Sequence, residues 1–146
     1  TLKTKEDRTL YFDFMQLELG KIKGKTPRIH LYTIPGQIHY VSSRKLVLKG
    51  ADAVVFVADS QPARMKDNLE SLADLEMKLI NDNQTLAGFP WIIQYNKRDL
   101  PDIESVTSLQ NKLNFLNVPF YEATATKGVG VLETLKAAIQ LALKKV

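Results

Sequence analysis

The 146-residue sequence contains no cysteine. That excludes a disulfide framework and any cysteine-based metal site, and it fits a reducing compartment. Long apolar runs are missing as well: the longest, Ala53 to Ala58, is far too short to cross a bilayer. Charge of one sign is nowhere massed. The net charge of +4 comes from lysines scattered among acids, as in Lys3, Lys5, Glu6 and Asp7, and reads as a mildly basic solvated surface. The densest basic group, Lys21, Lys23, Lys25 and Arg28, alternates around Gly24 like the outer face of a hairpin. An acidic partner or lipid head groups could meet it. Nothing interleaves aromatic with basic residues as nucleic-acid binding requires. Internal repeats, linkers and low-complexity segments are also lacking.

What is present describes one globular domain over residues 1–146. At 45% hydrophobic and 25% charged, a chain of this length buries roughly two-thirds of its unfolded surface. Leu10 to Leu19 alternates after Phe14, and Arg28 to Tyr32 (R-I-H-L-Y) alternates again across a turn-rich link, which predicts an antiparallel hairpin. Val54 to Val57 is a continuous apolar run, and Trp91 to Gln94 (W-I-I-Q) and Val118 to Tyr121 are similar, which marks strands buried on both faces of a parallel sheet. Helical stripes separate them: Met65, Leu69, Leu72, Leu75, Leu79 and Ile80; then Val106, Leu109, Leu113 and Leu116; then Leu132, Leu135, Ile139, Ala142 and Leu143. All three stripes are read as core-facing. The expected order is strand, strand, short helix, strand, helix, strand, helix, strand, helix. That is an α/β fold of three layers, with a mostly parallel central sheet, one antiparallel hairpin strand and helices on both faces. Ligands in such sheets bind in the loops beyond the C-terminal ends of the strands.

The loop after the W-I-I-Q strand reads Y-N-K-R-D-L-P, with Asn96, Lys97, Arg98 and Asp99. A guanine edge offers two adjacent donors, N1–H and the N2 amine, and one ionised carboxylate accepts both. Adenine presents the opposite pattern and would leave a buried carboxylate unpaired, so a site built this way discriminates strongly. The loop resembles the N-K-x-D motif of the Ras-like GTPase superfamily. By that resemblance Asp99 reads the base, Asn96 orders the loop and contacts the base, and the alkyl stem of Lys97 covers its face, with Arg98 at the variable position. A polar turn ahead of a helix is the plainer alternative. The place of the motif, directly after a buried strand, favours the base-reading role.

Two further loops resemble the same superfamily. E-A-T-A-T-K-G (Glu122 to Gly128) is similar to its E-x-S-A-K segment, with Thr124 and Ala125 at the Ser-Ala positions and Thr126 in place of the usual lysine. The resemblance implies a hydrogen bond from the Ala125 N–H to guanine O6. T-I-P-G-Q (Thr33 to Gln37) is similar to the D-x-x-G-Q that opens switch II, with Thr33 where the magnesium-holding Asp stands. There Gly36 lets the backbone approach a γ-phosphate and Gln37 orients the attacking water. Asp13, on the neighbouring strand, is the candidate replacement for the missing carboxylate. An ordinary type II turn is the plain reading of P-G-Q. In the N-terminal segment Thr9 and Thr4 are available as the switch I magnesium ligand, and Arg8 could reach transferring phosphates in cis. A charged tail is the other reading, and residue types do not choose between the two.

D-R-T-L-Y-F-D-F, L-Y-T-I-P-G-Q with R-K-L-V-L-K-G, V-F-V-A-D-S and Q-Y-N-K-R-D-L-P together resemble the MglA family of bacterial gliding-motility and cell-polarity GTPases, through nearly the whole chain. The resemblance implies a Ras-like P-loop NTPase G domain that binds GTP or GDP with Mg2+. It further implies Arg8 and Gln37 in hydrolysis and Thr9 on magnesium. Also implied are a homodimeric roadblock-type (MglB-like) activating partner, polarity or motility effectors, and a cytoplasmic, polar location. The P-loop G-x-x-x-x-G-K-[ST] is not in the sequence: Gly24-Lys25-Thr26 lies inside the hairpin turn, with no glycine five positions earlier. Its strand would lie at the centre of the sheet, so the expectation is a longer protein with about 40–50 further N-terminal residues. Two functions stay open at this point: a GTP-hydrolysing switch, and a pseudo-GTPase scaffold favoured by Thr33. A flavodoxin-like receiver leaves Asn96 to Asp99 without a role.

Overall fold

The alternating segments pair antiparallel. Strand β1 (Phe14–Glu18) runs against β2 (Arg28–Tyr32), with Phe14 opposite Tyr32 and Glu18 opposite Arg28. The computed structural model describes residues 14–18, 28–34 and 48–144, and the chain divides into two compact units, Thr1–Ala51 and Asp52–Val146. Along β2, Ile29 and Leu31 are half-buried while Arg28, His30 and Tyr32 face outward, the period of two read from the sequence. The basic residues Lys21, Lys23 and Lys25 lie outside the described residues, as does the expected short helix apart from 48–50.

The second unit is a parallel three-stranded sheet in the order β3-β4-β5: β3 (Val54–Asp59), β4 (Trp91–Asn96) and β5 (Phe120–Glu122). Helix α1 (Met65–Asn81) joins β3 to β4, α2 (Val106–Leu113) joins β4 to β5, and α3 (Val131–Leu143) follows β5. Two right-handed crossovers running in one direction put α1 and α2 on the same face, where they touch. Helix α3 lies against all three strands from the other face. Trp91 to Tyr95 of β4 are therefore buried throughout, and all but Gln94 are apolar or aromatic.

Burial of the stripes follows the helical spacing with exceptions. Leu72, Leu75 and Leu79 of α1 and Leu109 and Leu113 of α2 are core residues. Leu69 and Ile80 of α1 and Leu132 of α3 are exposed, against the expectation that all three stripes face the core. Val57 is also exposed: among the described residues β3 pairs only with β4, so it forms the margin of this sheet. Leu116 lies beyond α2, because Asn114 stops the helix: its side chain accepts from Val118 N–H at 2.8 Å and donates to the Val118 carbonyl at 2.9 Å. The helix begins on Ser105, whose hydroxyl accepts from the Ser108 N–H at 3.1 Å. The polar atoms of the two large aromatic residues of β4 are paired. Trp91 Nε1 donates to the Leu86 carbonyl at 2.9 Å, and the Tyr95 hydroxyl donates to Gln110 Oε1. Burial pushes the Tyr95 phenol up to about 12.

Two glycines precede α3 with left-handed backbones, Gly128 at φ 72° and Gly130 at φ 78°. A Cβ on Gly128 would meet open space, whereas one on Gly130 would sit 2.1 Å from the Glu122 carbonyl oxygen and 2.9 Å from Ala123 Cα. Gly130 is thus where α3 approaches the end of β5 backbone to backbone. Gly128→Ala is expected to cost about 1–2 kcal/mol from the left-handed φ alone. Gly130→Ala is expected to cost clearly more in urea denaturation. Equal losses would contradict this close approach.

Candidate functional site

Parallel register gathers three strand ends at one margin of the sheet: Asp59 lies opposite Asn96, and Tyr95 opposite Glu122. Open α/β sheets bind ligands outside this margin. Two of these ends are secured by side chains. At β3, the buried Asn68 amide of α1 accepts from the Asp59 N–H at 3.0 Å and donates to the Asp59 carbonyl at 2.8 Å. At β4, the Asn96 carbonyl accepts from Ser60 N–H at 3.2 Å and from the Ser60 hydroxyl, and Ser60 is fully buried.

Beyond Asn96 the chain turns at Lys97, whose φ of 64° is left-handed, and Leu100 N–H closes the turn on the Lys97 carbonyl at 3.2 Å. A lysine in this region stores strain of order 1–3 kcal/mol and persists only when its surroundings hold it. Lys97 Nζ is 2.8 Å from Asp59 Oδ2. Burial pushes the Asp59 carboxyl up, but hydrogen bonds from Lys97 and Gln61 and the lysine charge outweigh it, and the group sits below the usual carboxylate range.

The loop after β5 closes on itself. Thr124 N–H donates to the Val129 carbonyl at 2.9 Å and Val129 N–H returns to Thr124 at 3.2 Å, around a single 3-10 turn over Ala125–Lys127. The two loops are joined where Ala125 N–H donates to Asn96 Oδ1 at 2.9 Å, and again where Arg98 N–H donates to the Ala123 carbonyl at 3.1 Å. Asp99 stands at the junction with its side chain one-third exposed and Lys127 Nζ 3.7 Å from its Oδ2.

Asn96, Lys97, Asp99, Thr124, Ala125 and Thr126 therefore meet at one margin of the sheet. Arg8, Thr9, Asp13, Gly36 and Gln37 lie outside the described residues, and Thr33 is exposed just past β2 in the other unit. Two details differ from expectation. The Ala125 N–H, assigned by resemblance to guanine O6, is engaged by Asn96, because the turn points it along the loop junction. The lysine absent at Thr126 is supplied one residue later, where the 3-10 turn carries Lys127 to Asp99. Asp59, Ser60 and Lys127 were not singled out from the sequence. Their signal was positional: Asp59 and Ser60 follow the V-V-F-V-A run as Asn96 follows W-I-I-Q-Y.

The arrangement suits a purine carrying adjacent N–H donors. Asp99 has one exposed ammonium beside it, a contact worth little, and keeps acceptor capacity. Among the described residues nothing accepts from Asn96 Nδ2. Among those same residues no cluster of His, Asp or Glu side chains could hold a metal ion, and no helix is long and apolar enough to cross a membrane.

A model of the ADP-ribosylation factor family matches residues 4–141. The chain is 53% identical over 143 residues to the mutual gliding-motility protein MglA of Myxococcus xanthus, covering 98% of this chain and 73% of that protein. It is 26% identical to the Ypt/Rab-type GTPase ypt7 of Schizosaccharomyces pombe, covering 93% of this chain and 67% of the relative. It is 24% identical to the Ypt/Rab-type GTPase Rab7 of Neurospora crassa, over 92% and 67%. These matches do not favour a pseudo-GTPase scaffold. The chain belongs to the ADP-ribosylation factor family of Ras-like small GTPases, α/β proteins that bind GTP or GDP with Mg2+ and hydrolyse GTP.

Proposed function

We propose that this chain is the G domain of a GTP-hydrolysing switch controlling bacterial gliding motility and cell polarity. The motility role is supported by 53% identity to a protein named for gliding motility. The observation that carries the nucleotide role is the stitched pair of loops, Asn96–Leu100 and Ala123–Lys127, with Asp99 open at their junction. In this reading Asp99 accepts from guanine N1–H and N2–H, Asn96 Nδ2 is free to donate to the base, and the Lys97 stem covers its face. Thr124 and Ala125 shape the second loop. The N–H of Thr126, which donates to nothing among the described residues, is the open donor for O6. Bound GTP brings the phosphoanhydride that water cleaves. Arg8 and Gln37 would act on that step, Gly36 would admit the γ-phosphate, and Thr9 with Asp13 would hold Mg2+. A homodimeric roadblock-type activator, downstream effectors and a polar cytoplasmic location complete the proposal.

Asp99→Asn is expected to abolish the preference for guanine over adenine nucleotides in competition binding, with an unchanged circular dichroism spectrum. Unaltered selectivity would remove Asp99 from the base site. Single-turnover GTP hydrolysis by the intact protein should rise when the roadblock protein is added, and Gln37→Ala should abolish that rise.

The Asp59–Lys97 pair makes a pH prediction. A carboxyl with a depressed pKa stabilises the fold above its unfolded value of about 3.9, and the contribution is lost as pH falls through the folded value. Lys97 is nearly half exposed, so screening limits the effect to about 1 kcal/mol or less. Asp59→Asn should lower the melting temperature at pH 7, and the gap to wild type should narrow steadily below pH 4. A gap independent of pH would show that the pair contributes no charge-dependent stability.

A further inference from the structure

Arg98 stands between Lys97 and Asp99, at the motif position to which no base contact is assigned, yet it is more buried than either neighbour. Its side chain is 17% exposed, against 46% for Lys97 and 32% for Asp99. Its guanidinium makes two directed contacts. Nε donates to Glu122 Oε1 at 3.1 Å, and Nη1 donates to the Glu104 backbone carbonyl at 2.7 Å. Its own N–H donates to the Ala123 carbonyl at 3.1 Å. One residue thus reaches the end of β5, the loop that follows it and the segment leading into α2.

Glu104 is itself anchored. Its N–H donates to the Ser60 carbonyl at 2.8 Å, and its carboxylate takes Lys112 Nζ at 3.0 Å and the Ser108 hydroxyl at 3.3 Å. Arg98 therefore braces the Asn96–Leu100 turn against a support tied to β3 and α2. That turn carries the left-handed Lys97, a conformation that relaxes unless held. A carboxylate accepting two parallel N–H groups tolerates little rotation, because hydrogen bonds weaken steeply off axis. The planar five-donor fork of arginine suits a brace of this kind better than an ammonium.

We propose that Arg98 is a positioning residue for guanine recognition: it fixes the rotation of the turn so that the Asp99 carboxylate meets both N–H donors of the base edge. This rests on the base-reading role of Asp99 and adds to it a cause for that carboxylate's orientation.

The test compares GDP with IDP, whose hypoxanthine lacks the N2 amine. Dissociation rates of both from the intact protein are measured by stopped-flow displacement for wild type, Arg98→Ala, Arg98→Lys, Glu122→Gln and Asp99→Ala. General loosening of the fold would speed both ligands alike and leave their ratio unchanged. Misorientation of Asp99 reduces the ratio. Arg98→Ala is expected to lower the GDP-over-IDP preference by about tenfold, the scale of one charge-assisted hydrogen bond. Arg98→Lys should recover part of it, and Glu122→Gln should lower it only slightly, since Glu122 is exposed. If Arg98→Ala does not fold, Arg98→Lys decides: a ratio below wild type with an unchanged melting temperature supports the proposal, and a wild-type ratio overturns it. A wild-type ratio in folded Arg98→Ala overturns it as well. If Asp99→Ala also keeps the wild-type ratio, the base-reading role itself has failed. If only Asp99→Ala changes the ratio, that role stands and the brace does not.

Discussion

The hydrogen bond from the Ala125 N–H to the Asn96 side-chain carbonyl joins two loops that are 29 residues apart in the chain. Its net worth is about 1 kcal/mol, small against the stability of a domain. Its consequence is geometric. With the Arg98–Ala123 backbone bond it holds the Asp99 turn and the Thr124–Val129 loop as one surface at the margin of the sheet. The Asp99 turn brings the carboxylate and the Asn96 amide, and the second loop adds the Thr126 N–H.

That joint depends on the sheet beneath it. Equal lengths of β3 and β4 in parallel register place Asp59 beside Asn96, and the shorter β5 delivers Glu122 beside Tyr95. The Asn68 amide and the buried Ser60 complete the hydrogen bonds of the strand ends, where regular sheet pairing stops. Gly130 lets α3 start against the Glu122 carbonyl, and so confines the second loop from behind. Core packing thereby becomes precision at the site.

Much of this was legible in local sequence. W-I-I-Q announced a strand covered on both faces, and the segment that follows it carried its chemistry in four consecutive letters. The R-I-H-L-Y alternation gave the bounds of β2, because a period of two is a direct readout of a half-buried strand. Helical periodicity was less informative about burial. It marks a face but not what covers it, which is why Leu69, Ile80 and Leu132 were misread as core. Leu116 continued the spacing of α2 past the point where Asn114 diverts the backbone. The contacts of Arg98, Asp59 and Lys127 were invisible for another reason. Their ion pairs, Arg98 with Glu122, Asp59 with Lys97 and Lys127 with Asp99, depend on strand register and turn geometry over separations of 24 to 38 residues, which no local pattern encodes.

The central claim is that the base of a guanine nucleotide sits at the junction of these two loops. Backbone and side-chain amide resonances of the intact, isotope-labelled protein test it directly, followed during titration with GDP and, separately, ADP. The account predicts that Asn96 Nδ2 and the Ala125, Thr126 and Lys127 amides shift with GDP and stay in place with ADP. Saturable GDP binding that leaves these four signals unmoved would put the base elsewhere and contradict the account.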